Sequence, residues 1–178
     1  MGSAAHATRS PASTAAMDRV DMSSQMGAGT HTVKPHPTLI DGKHYTLFSP
    51  ETFAGAASGA YVLLDTTDPA HPVTLDTWSL PGNLTNPQAL MWSPHEFSLA
   101  NGKAYTSNYH AGTWVLDISQ GKLVPTAVYD AAPAGWTPRK ESVKWAVDAE
   151  TAVWHDGFVY VVDMGQGVLA LREWTTNG

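Results

Sequence analysis

The chain contains no cysteine. Disulfides, thiolate catalysis and cysteine-ligated zinc are thereby excluded. Basic residues are few: ten Lys and Arg stand against sixteen Asp and Glu, for a formal net charge of −6. No basic stripe is present, so nucleic-acid binding and a polybasic membrane patch have no electrostatic support. No apolar run approaches the roughly 20 residues that a membrane-spanning helix needs. The first sixteen residues include Arg9 and many small side chains but no continuous apolar core, so no signal peptide is visible. Helical patterning is scarce. Its best stretch, Arg139 to Glu150, is short and interrupted by β-formers.

What is present favours strands and turns. The 178 residues are 43% hydrophobic, enough for one domain with a core. Seven Trp, fifteen Gly and twelve Pro suit half-buried pleated surfaces joined by many turns. A unit recurs three times. Its copies read Thr38-Leu-Ile-Asp-Gly-Lys-His-Tyr-Thr-Leu-Phe48, Ser98-Leu-Ala-Asn-Gly-Lys-Ala-Tyr-Thr-Ser-Asn108 and Ala152-Val-Trp-His-Asp-Gly-Phe-Val-Tyr-Val-Val162. Each is followed by a short apolar run: Ala60 to Asp65, Thr113 to Asp117 and Val168 to Leu171. The turn glycines Gly42, Gly102 and Gly157 are 60 and 55 residues apart. Asp41-Gly42, Asn101-Gly102 and Asp156-Gly157 predict two-residue hairpin turns, which need positive φ at both central positions.

Self-similarity at such a period indicates a repeat architecture. The expected fold is all-β, with about three four-stranded β-propeller blades over roughly 31–90, 91–145 and 146–178. Fourth strands are expected at Val73 to Leu80 and at Leu123 to Tyr129, with no good candidate in the last unit. Three blades do not usually close a propeller. The set is therefore read as incomplete or as closed by oligomerisation. Residues 1–30, rich in Ala, Ser and Thr, are read as a disordered tail. Its Met17, Met22 and Met26, with His31, form a weak pattern for Cu(I) capture.

The stretch Ala60-Tyr-Val-Leu-Leu-Asp-Thr-Thr-Asp-Pro-Ala-His-Pro-Val73 resembles the LVIVD repeat of bacterial and archaeal β-propeller proteins. Thr113-Trp-Val-Leu-Asp-Ile-Ser119 matches the first half of that repeat, and Val168 to Leu171 matches it weakly. The resemblance runs from about residue 31 to 172 and implies the C-terminal blades of such a propeller. It also implies an extracytoplasmic or cell-surface location, because many such proteins are secreted. It implies little about activity, since fold does not fix function.

The histidines are the main candidates for chemistry. His95 and Glu150 each stand seven residues before a turn glycine, and His36 stands six before. Inner strands of successive blades would bring them to one mouth of a central channel. A divalent transition metal is the cofactor such a group would take. The plainer reading is that these histidines bond loop backbone. Glu96 is read as a partner of the metal ligands or as a general base, with a solvated carboxylate as the alternative. Trp92 and Trp136, in Pro-rich loops, and Tyr109 with His110 are read as contacts for a ligand or a partner protein. His44 and His155 are read as surface or packing residues.

No nucleophile elbow, phosphate loop, dinucleotide fingerprint or zinc-protease helix is present. Three functional readings remain open. One is a non-enzymatic binding or scaffold module, and a second is an assembly protein whose missing strand another copy supplies by strand addition. The third is a metal-dependent propeller enzyme built on His36, His95 and Glu150.

Overall fold

The computed structural model describes residues 30–52, 59–81, 92–130 and 147–173. Trp136 and most of the expected tail lie outside them. The described residues form eleven strands and no helix. Three antiparallel sheets result, with strand orders β1-β2-β3-β4, β5-β6-β7-β8 and β11-β10-β9. The first comprises β1 (Thr30–Pro35), β2 (Tyr45–Pro50), β3 (Ala60–Asp65) and β4 (Val73–Ser79). The second comprises β5 (Phe97–Ala100), β6 (Lys103–Ser107), β7 (Thr113–Asp117) and β8 (Val124–Tyr129). The third comprises β9 (Ala149–His155), β10 (Phe158–Asp163) and β11 (Gly167–Leu171).

The repeated turns take the expected form. Asp41, Asn101 and Asp156 have φ of 49°, 53° and 47°, and the glycines that follow are also positive. Asp and Asn tolerate this left-handed region better than other non-glycine residues. The aspartates that end β3 and β7 set the next turn. Asp65 Oδ1 accepts from the Thr67 amide at 3.0 Å, and Asp117 Oδ1 accepts from the Ser119 amide at 2.8 Å.

The first unit departs from expectation. Thr38 to Ile40 does not form the long strand entering the turn; Ile40 makes only an isolated bridge to Lys43. The inner strand lies earlier, at Thr30–Pro35, and Pro35 and Pro37 end it before the turn. Thr and Val give this segment its extended preference despite its weak alternation.

The sheets stack through two apolar clusters. Tyr45, Leu47, Tyr61 and Leu63 of the first sheet meet Phe97, Ala104, Leu116 and Ile118 of the second unit. Tyr105 and Val115, from the other face of the second sheet, meet Ala149, Ala152, Val159 and Val161 of the third. Alternation along β10 follows: Val159 and Val161 are buried while Tyr160 and Val162 are exposed. The inner strands β1, β5 and β9 neighbour one another, β1 against β5 and β5 against β9. That arrangement gathers the ends of different sheets into one place.

Candidate metal centre

The site is built where inner strands begin and second strands end. His31 belongs to β1, at the point where its register against β2 slips between Thr30 and Thr32. A bulge of this kind redirects a side chain. Glu51 directly follows β2. His95 precedes β5, and its amide bonds the Ser107 carbonyl at 2.9 Å. Two serines brace the Glu51 and His95 segments together. Ser49 Oγ donates to the His95 carbonyl at 2.9 Å, and the Thr52 amide donates to Ser93 Oγ at 2.7 Å.

His31, Glu51 and His95 each direct a ligand atom into one space, and these atoms lie within 4.8 Å of one another. Glu51 Oε2 stands 3.6 Å from His31 Nε2, and Glu51 Oε1 stands 3.8 Å from His95 Nε2. Ligand atoms about 2.1 Å from a tetrahedral metal are roughly 3.4 Å apart. The His95 ring stacks on that of His31, with centroids 4.7 Å apart, and lies tilted against that of Tyr109, with centroids 4.6 Å apart.

Hydrogen bonds at the far ring nitrogens fix which tautomers face the site. His95 Nδ1 lies 2.7 Å from the Glu150 carbonyl oxygen, which can only accept. Nδ1 therefore carries the proton. His31 Nδ1 lies 2.9 Å from Thr32 Oγ1, whose own hydrogen goes to Glu96 Oε1 at 2.9 Å. His31 Nδ1 is thus also the donor. In neutral rings both Nε2 lone pairs then point towards the Glu51 carboxylate. Three electron-rich groups facing one space call for a cation, either a proton on a ring or a metal. Imidazole ligands that donate their other N–H to a carbonyl or hydroxyl oxygen are the usual arrangement around a metal. Two histidines and one carboxylate suit zinc or ferrous iron with open coordination positions.

Tyr109 closes one side. Its φ is 49°, and it is held by reciprocal backbone bonds with Ala149 at 2.9 and 3.0 Å. Its hydroxyl donates to Glu51 Oε1. Burial, followed by that bond and the charge of Glu51, pushes the phenol well above its ordinary pKa, so it stays protonated as a donor. Further acidic groups surround the site. Glu150 Oε2 is 3.6 Å from His95 Nδ1, and burial raises the Glu150 pKa against the opposing pull of His95. Burial and the negative charges of Glu150 and Asp163 raise Asp148 to about 6. Asp148 Oδ1 stands 3.7 Å from His110 Nε2, and burial lowers the pKa of that imidazole.

Of the residues singled out from sequence, His95 and Glu150 are brought together. His36 is not brought to them. Its Nδ1 engages the Thr38 backbone at 2.8 Å, and its Nε2 accepts from the Gly102 amide at 3.3 Å, beside the turn at the other end of β5. Glu96 is engaged by Lys34 Nζ at 2.7 Å and by Thr32, fastening β1 to the second sheet. Burial would raise its pKa, but those hydrogen bonds and the Lys34 charge hold it below the usual value. Trp92 is partly buried, with no hydrogen-bond partner for its indole N–H among the described residues. Sequence reasoning missed His31 and Glu51 as a pair. Thr30-His-Thr-Val33 before Pro35 was the available signal for an earlier inner strand; Glu51, just past its strand, had no comparable signal.

No helix among the described residues is long and apolar enough to cross a membrane. No family model matches the chain, and no curated protein matches its sequence.

Proposed function

We propose that this chain is a set of β-propeller blades of the LVIVD-repeat kind whose inner strand ends hold a divalent transition metal. Three successive antiparallel meanders, each turning on the same Asx-Gly pair, support the blade reading. The observation that carries the metal reading is the pair of fixed tautomers. His31 and His95 both spend Nδ1 on an oxygen acceptor and turn Nε2 towards Glu51. His31, Glu51 and His95 would hold the ion, and Tyr109 would orient the Glu51 carboxylate. Three protein ligands leave positions for water or an oxygen-bearing small molecule, so the ion would supply Lewis acidity there. Glu150 and Asp148 contribute negative charge around the site, which strengthens cation binding.

The test is metal content of the full chain, purified without a histidine tag or added metal. The account expects a stoichiometric first-row ion that is lost in His95→Ala and retained in His36→Ala. Metal-free protein that also fails to bind added zinc overturns the metal reading and leaves a binding or scaffold module.

A further inference from the structure

Carboxylates gather around His31, Glu51 and His95, and no Lys or Arg among the described residues pairs with them. Glu51 itself faces both histidines. Glu150 Oε2 stands 3.6 Å from His95 Nδ1, and Asp148 lies two residues before it. Asp163 is buried and accepts from the Asp148 amide at 2.9 Å. The Tyr109 phenol, which bonds Glu51, feels the negative charges of Glu51, Glu150 and Asp148 together.

The cations among the described residues are engaged elsewhere. Lys34 Nζ donates to Glu96 Oε2 and to the Phe97 carbonyl, both at 2.7 Å. Lys43 pairs with Asp65, Lys103 with Glu173 and Lys122 with Asp76. The Arg172 guanidinium lies 4.5 Å from the centre of the Phe158 ring. The histidines do not make up the difference. His31 and His95, as neutral rings, turn Nε2 lone pairs towards Glu51. His110 stands 3.7 Å from Asp148, but burial lowers its pKa and favours the uncharged imidazole. At neutral pH the two positive charges of a bound ion would therefore be outweighed by Glu51, Glu150, Asp148 and Asp163. Partly buried charges are screened little by salt, so this excess acts on whatever molecule approaches.

We propose that the site selects its ligand by charge, taking a small oxygen-donor molecule that carries a cationic amine and rejecting the counterpart that carries a carboxylate. The inference rests on the metal reading above and adds the class of molecule bound. His31 is exposed while Glu51 and His95 are partly buried, so a ligand reaches the site past His31. An ammonium group on that ligand supplies the positive charge that Lys34, Lys43, Lys103, Lys122 and Arg172 do not. A carboxylate or phosphate group would instead meet like charge with no cation to offset it. Repulsion of this kind is how a site discriminates between molecules that share one binding group.

The test uses the cobalt-loaded full chain and three hydroxamates that share one metal-binding group and a chain of similar length. γ-Aminobutyrohydroxamate carries an ammonium group, butyrohydroxamate no further charge, and succinic monohydroxamate a carboxylate. Binding is read near neutral pH from the change each causes in the visible bands of the cobalt ion. The ammonium compound should bind roughly tenfold more tightly than the uncharged one, and the carboxylate compound roughly tenfold more weakly. Added salt should shrink both gaps. Glu150→Gln and Asp148→Asn, each measured at saturating cobalt, should narrow them as well. Equal affinities, a preference for the carboxylate compound, gaps unchanged in both variants, or cobalt bands that no hydroxamate perturbs would each overturn the inference. All four outcomes leave the metal reading standing, because each requires a bound ion. Absence of cobalt binding is the separate failure of the metal reading, and it removes the inference with it.

Discussion

The imidazole of His95 donates Nδ1–H to the main-chain oxygen of Glu150, across 2.7 Å and between two different sheets. The bond ties the entrance of β5 to β9 and leaves Nε2 facing Glu51. A single contact thus serves both the stacking of the sheets and the orientation of a proposed metal ligand. Removing it should be felt in both.

The two roles can be separated by substitution. Glu51→Gln keeps the shape and the Tyr109 contact but removes the negative charge. It should abolish tight metal binding while changing the unfolding free energy of the metal-free chain by under about 1 kcal/mol. His95→Ala should lose metal binding and also destabilise the metal-free chain by about 1–2 kcal/mol, because the Glu150 carbonyl loses its donor. Urea titrations with and without a chelator measure both effects.

The core contains a polar pair whose cost can be measured. The Tyr61 hydroxyl, fully buried, donates to Asn108 Oδ1 at 2.8 Å. Burial drives the Tyr61 pKa far above its ordinary value, so the group acts only as a hydroxyl. Tyr61→Phe leaves the Asn108 acceptor buried without this donor. A loss of about 1–3 kcal/mol is expected in denaturant unfolding.

Two glycines with similar backbone angles should respond differently to alanine. Gly42 has φ of 78° and open space where a Cβ would stand, so Gly42→Ala should cost about 1 kcal/mol from backbone strain alone. Gly112 has φ of 75°, but its Cβ would lie 2.2 Å from the Tyr129 carbonyl oxygen. The β7–β8 pairing would have to shift. Gly112→Ala should cost roughly 3 kcal/mol or more, measured as a lower urea midpoint.

Stability should depend on pH through Asp148. Its folded pKa is raised to about 6 from an ordinary 3.8, chiefly by burial. The folded state therefore prefers the protonated acid. The penalty for ionisation is absent below about pH 4, grows between about 4 and 6, and is full above that. Asp148→Asn should stabilise the metal-free chain by about 1–2 kcal/mol at pH 7 and have little effect at pH 4. A benefit independent of pH would contradict this assignment.

The repeated turns were legible because left-handed backbone at two successive positions restricts the residue choice strongly. Asp41-Gly42, Asn101-Gly102 and Asp156-Gly157 could therefore be read without any tertiary information. The strands of the second sheet followed from the same repeat, and β3 followed from its aliphatic run. His95 and Glu150 were singled out by counting back from those turns, and the fold places them side by side. His36 was misplaced by the same count, because the first unit inserts Pro35 to Leu39 between its inner strand and its turn. The count assumed a constant spacing that two prolines broke. His31 depends on a bulge, a feature of pairing between strands rather than of local sequence. Glu51 depends on the distance between two loops, which no pattern within either loop encodes. The stacking of His31 on His95 is a meeting of residues 64 positions apart in the chain.

The most direct measurement is cobalt(II) titration of the metal-free chain, followed by visible absorption. The account predicts one bound ion, with the ligand-field bands of a site having two imidazoles and a carboxylate. These bands should be lost in His31→Ala, Glu51→Gln and His95→Ala, and kept in His36→Ala. Absence of saturable binding would contradict the account, as would bands that survive the Glu51 and His31 substitutions.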